Sequence, residues 1–146
     1  MLLMHMKRFA HILFYPKGTT MICFTPGQVI GVRVGFITHV GIVTDRTVNG
    51  EPMVISNSLR RGEVAEEPLS MFKGAFELVP VEQPAVMPAW IVLSRAREKL
   101  GTQWKLTSWN CEHFVTWAFG HEPQSKQLQA GVVTGVIALF SILNRA

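Results

Sequence analysis

The residue types that could form a nucleophile and its base are few in this chain: two cysteines, Cys23 and Cys111, and five histidines, His5, His11, His39, His113 and His121. Cys111 lies in the stretch Ser108-Trp109-Asn110-Cys111-Glu112-His113-Phe114-Val115. Asn110 is a good helix N-cap, which would place Cys111 in a first turn whose free N–H groups point outward. Such a position lowers a thiol pKa and offers donors to an oxyanion formed at an attacked carbonyl. His113 is the nearest base by number, but residues two apart on a helix face about 200° away from each other. We therefore read it as a structural histidine, hydrogen-bonded within the fold.

His39 is the stronger base candidate. It interrupts the apolar strand pattern FITHVGIVT, where a polar ring needs a reason. A satisfied core histidine is the plain alternative, and a Cys111–His39 pair working by covalent catalysis is the functional one. A third group is expected to orient the imidazole, and the next strand, MVISNS, offers Ser56, Asn57 and Ser58. Neighbouring strand residues alternate faces, so Ser56 and Asn57 cannot both point at His39. Trp104 and Trp109 flank the approach to Cys111 and read either as core or as pocket walls. Cys23 reads as a small buried hydrophobe. Two cysteines, with no C-x-x-C and no H-x-x-x-H, argue against a structural zinc, and no cofactor motif is found.

These residues need elements to hold them. Val29 to Val34 and Ile37 to Val43 read as two strands about a tight turn at Gly35. Asn49-Gly50 is a hairpin signal, and Met53 to Ser58 reads as the antiparallel third strand. RRGEVAEEPL reads as a loop with at most a short edge strand, and Phe76 to Val81 as a further strand. Ala89 to Leu100 and Asn110 to Phe119 have helical apolar spacing, each ending at a glycine. Strands followed by helices make an α+β domain with a small antiparallel sheet.

The 146 residues, 48% hydrophobic and 16% charged, suit one domain with its own core. The net charge of +4 comes from scattered residues without a basic aromatic-interleaved run, which speaks against nucleic acid as a partner. The first residues lack the h-region and cleavage site of a secretory signal, so a reducing, cytoplasmic setting is the default. From Ala130 to Leu143 no charge occurs. Fourteen helical residues span roughly 21 Å against a hydrocarbon core of roughly 30 Å. The segment reads equally as a buried helix or as a membrane contact through residues 130–143, where Gly131 and Gly135 form a G-x-x-x-G pair.

NCEHFV at Asn110 to Val115, with THVGIVTD and the preceding PGQVIGVRVGF, resembles the lecithin:retinol acyltransferase-like family. The resemblance runs from about Pro26 to Gly120. It implies a circularly permuted papain-like fold, in which the base histidine precedes the cysteine, and a division into an extension (1–25), the thiol-enzyme domain (26–127) and an apolar C-terminal helix (128–146). It also implies transfer or hydrolysis of lipid acyl esters through a thioester on Cys111, with His39 as general base and a lipid or acyl-ester substrate. More distant relatives cleave amides, so an amidase or peptidase is the alternative, and a silent membrane-tethered module a third reading. Two departures stand out. The family's second histidine would fall at Ser56, leaving Ser56, Asn57 or a water to orient His39. The acidic residue expected after Gly27 is Gln28.

Overall fold

The computed structural model describes residues 11–13 and 22–143, with side chains from 23 to 135. Most of the N-terminal extension, and the side chains of the distal apolar segment, therefore lie outside the described residues.

The strands are β1 (His11–Leu13), β2 (Ile22–Phe24), β3 (Val29–Val34), β4 (Ile37–Val48), β5 (Glu51–Ser58), β6 (Glu63–Pro68) and β7 (Leu78–Val79). The helices are α1 (Leu69–Lys73), α2 (Ala89–Glu98), α3 (Cys111–Ala118) and α4 (Lys126–Leu143). Five strands form one antiparallel sheet in the order β6-β5-β4-β3-β7, and β1 and β2 form a separate pair. The class is α+β.

The β-branched run from Val29 to Val43 builds the two central strands, paired from Val29↔Ile42 to Val34↔Ile37. Gly35 turns this hairpin with φ +61, a conformation open to glycine, while Phe36 keeps a negative φ. That is the type II′ pattern, and Asn49 and Gly50, both at positive φ, make the type I′ turn at the other end of β4.

The sheet is covered on both faces. On one, Val40, Ile42 and Ile55 pack against Val92, Leu93 and Ala96 of α2 and Phe114, Val115 and Ala118 of α3. On the other, Val43 and Val54 meet Leu69 and Phe72 of α1, with Phe24 from β2. Phe24 thus ties the end of the N-terminal extension into the core. Gly41 sits where a Cβ would come 2.8 Å from Phe72 Cε2 and 2.7 Å from Val54 Cγ1, so glycine here lets α1 close onto the sheet.

Three sequence expectations change. RRGEVAEEPL contains a full six-residue edge strand, β6, paired with β5 from Met53↔Pro68 to Ser58↔Glu63. The strand expected over Phe76 to Val81 shrinks to Leu78–Val79, because only these residues pair, with Val32 and Gly31. Cys23 is exposed, not buried.

Candidate active site

Cys111 is the first residue of α3, and Asn110 caps it. The Asn110 side-chain oxygen accepts from the N–H groups of Glu112 (3.0 Å) and His113 (3.1 Å). His113 completes a capping box, its Nδ1 accepting from Asn110 N at 3.2 Å. His113 is buried there, with burial pushing its pKa down, and serves the helix start as the sequence suggested. The cap occupies two first-turn donors and leaves the Cys111 N–H without a protein oxygen acceptor among the described residues.

The thiol faces the sheet. The backbone N–H of Val40, the residue after His39, and those at the start of α3 lie close enough to favour its thiolate. Burial outweighs these donors and pushes the thiol pKa up, with the neighbouring Glu112 charge adding to it. Glu112 itself is held: its carboxylate accepts from Gln127 N at 3.0 Å and from the Ser125 hydroxyl. Ser125 in turn accepts from Leu128 N at 3.2 Å, capping α4.

His39 and Cys111 line the same cavity of about 650 Å³. No hydrogen bond joins the two side chains among the described residues. The His39 ring lies 5.1 Å from the Phe72 ring, tilted by 35°. Burial, with the Arg60 charge second, lowers its pKa to about 4, so the imidazole is neutral at pH 7. Arg60 donates to Glu67 at 2.5 Å and to the Met71 carbonyl at 3.1 Å. Both Arg60 and Glu67 belong to the cavity wall. The rest of the wall is dominated by apolar side chains, among them Val32, Ile37, Leu59, Phe72 and Leu106.

The proposed third members separate by face. Ser56 lies on the His39 side of β5, its Cβ 3.1 Å from where a Cβ on Gly41 would sit, but it is outside the cavity wall. Asn57 lies on the other side, fully buried. Its Nδ2 donates to the Trp109 carbonyl at 2.5 Å while Oδ1 has no partner. The structure does not bring Asn57 to His39; it ties β5 to the loop leading into Cys111. Carrying the Ile42↔Ile55 register onward sets His39 across from Ser58, which does line the cavity. Ser58 was a named strand residue in sequence but not a preferred one. Arg60 was missed altogether, since only its place on the wall gives it meaning. Trp104 lines the cavity, whereas Trp109 packs edge-on against Trp117, 6.1 Å away.

The first turn of α4 closes one side of this end. The Gln127 side chain accepts from Thr38 N at 2.7 Å and donates to Thr38 O at 2.8 Å, pairing with the strand next to His39. Further along, a Cβ on Gly131 or Gly135 would meet nothing within 4 Å. Among the described residues no helix is long and apolar enough to cross a membrane, and no cluster of three metal-binding side chains occurs.

No family model matches the chain, and no curated protein matches it.

Proposed function

We propose that the protein is a thiol acyl-transfer enzyme, an acyltransferase or hydrolase of lipid acyl esters working through a thioester on Cys111. One observation carries the reading: a capped helix start and the adjacent strand turn a thiol and a neutral imidazole into one large apolar cavity. The volume lies in the range of small-molecule sites, and its lining suits an acyl chain. We also propose that the domain is a circularly permuted papain-like fold, with the histidine strand β4 preceding the cysteine helix α3.

In the resting site both groups are neutral. As Sγ attacks the ester carbonyl carbon, the neutral His39 takes the thiol proton. The carbonyl oxygen becomes an oxyanion facing the Cys111 N–H. Collapse expels the alcohol, which receives that proton from His39, and leaves the thioester. Water or another acceptor then attacks the thioester, with His39 taking the acceptor's proton and returning it to sulfur. Removing the base in His39→Ala is expected to cut turnover by about 100- to 10,000-fold.

The test is intact mass after incubation with phospholipid. Wild type should gain an acyl adduct that Cys111→Ala lacks; neither adduct nor lipid turnover in the wild type would end the lipid reading. Because burial raises the thiol pKa, alkylation at acid pH should be slow even in an active enzyme, so transfer from substrate is the more discriminating readout. An amidase would act through the same residues, but it calls for a groove able to pair with a peptide backbone, and the apolar lining favours the ester.

A further inference from the structure

The two hairpins at the ends of β4 differ in kind. β4 is twelve residues long, about 40 Å of strand, so its ends mark opposite ends of the sheet. One end turns on Asn49-Gly50, the polar chemistry expected of a solvated hairpin. The other turns on Gly35-Phe36 between Val34 and Ile37, and no residue from Val34 to Ile37 is polar. Phe36 is 102% exposed and Ile37 60% exposed. A ring wholly in water at a hairpin tip gains nothing from folding and forfeits roughly 1.5–3 kcal/mol of available burial.

This apolar end is the end that carries the site. Val34 and Ile37 line the cavity holding His39 and Cys111, whose wall also includes the exposed Leu59, Met71 and Leu106. Phe36 at the tip, with Arg33, lines a second cavity of about 520 Å³ that shares Glu112 and Gln127 with the first, so the exposed apolar residues of this end gather around two adjoining openings rather than standing singly. The charge at this end leans basic, with Glu77 exposed beside the wall residue Phe76 and Glu82, near Phe36, paired with Lys126. Arg33 precedes the tip, Lys73 stands in the wall, and Arg61 and Lys105 are exposed beside wall residues. The wall's two carboxylates are already engaged, Glu67 by Arg60 and Glu112 by Ser125 and Gln127.

We infer that the Gly35-Phe36 hairpin and the rim of the cavity dock on the surface of an anionic lipid leaflet, Phe36 entering the acyl boundary and the basic residues meeting headgroups. Docking would set the cavity mouth against the leaflet, so that an acyl chain passes from lipid into the cavity without crossing water. The choice of partner rests on the lipid-ester reading; the start of the apolar run of α4 borders the same cavity through Gly131 and Val132, whereas the hairpin tip at Phe36 is a separate element that can be altered alone.

The test is flotation of the full-length protein with phosphatidylcholine vesicles with and without phosphatidylserine. Wild type should float with the anionic vesicles, and more weakly without phosphatidylserine or in high salt. Phe36→Asp should reduce binding by tenfold or more, Phe36→Trp should retain it, and Val48→Asp at the opposite hairpin should leave it unchanged. Cys111→Ala should bind like wild type, which separates docking from catalysis: binding without turnover would leave this inference standing and remove the enzyme. Undiminished binding of Phe36→Asp would overturn it and assign attachment to α4. Absence of vesicle binding by wild type would overturn it as well, as would a Phe36-dependent dimer in sedimentation, which would make the patch a contact between copies.

Discussion

At the residue scale, His39 couples the site to pH. Its folded pKa of about 4 lies below the ordinary 6.5, so between these values the unfolded chain binds the proton more readily than the folded one. The stability linked to keeping this ring neutral is present above about 6.5 and is lost as pH falls through about 4. Denaturant titrations should show wild type losing up to about 3 kcal/mol more across that window than His39→Phe does. The same depression predicts an acid limb of kcat/KM near pH 4. Arg60→Gln should move that limb upward, because the guanidinium beside the ring helps hold its pKa down and its loss leaves the Glu67 carboxylate unpaired nearby. A limb unmoved in Arg60→Gln would deny that coupling. Cys111 and His39 were legible in the sequence because a lone thiol after a cap and a lone ring in an apolar strand violate their local patterns. Ser58 was named only as one of three strand residues, without preference, and Arg60 was given no place at the site, because placing them needs the cross-strand register, and the β4–β5 ladder shifts between Val43 and Thr47.

At the scale of elements, the helix that presents the thiol depends on its cap. Asn110→Ala removes the acceptor of two first-turn N–H groups and should cost about 1 kcal/mol in chemical denaturation, with a larger proportional loss of acyl-adduct formation. Gly41→Ala should cost about 1–3 kcal/mol, since the added methyl meets Phe72 and Val54 below 3 Å and pushes on the ring that packs against His39. The two hairpins, α2 and α3 could be read from turn residues and apolar spacing. β6 was under-read because its acidic residues look like loop: Val64 and Ala65 are buried, while Glu66 and Glu67 are stabilised by Arg46 and Arg60, partners remote in sequence. α1 was missed because five residues after Pro68, with no side-chain cap, carry no start signal.

At the scale of the whole molecule, polar residues just ahead of the apolar run decide where the C-terminal helix goes. The sequence reading began the segment at Ala130 and set burial against membrane contact. The structure begins α4 at Lys126 and ties its first turn down through Glu112, Ser125 and Gln127, while Val132 and Val133 are exposed. Gln127→Ala should release this attachment. Hydrogen exchange at the Thr38 amide should then rise, with the amides of Ile42 and Val54 unaffected; unchanged protection at Thr38 would mean that the glutamine contact does not hold in solution.

The Gln127–Thr38 pairing also has a mechanical side. One side chain grips both the N–H and the carbonyl of a single strand residue, so the start of α4 cannot slide along β4 without breaking two bonds together or dragging Thr38 with it. Thr38 is one peptide from His39. A tug on the C-terminal helix is thereby delivered to the backbone that carries the imidazole, through two hydrogen bonds that must break together to release it.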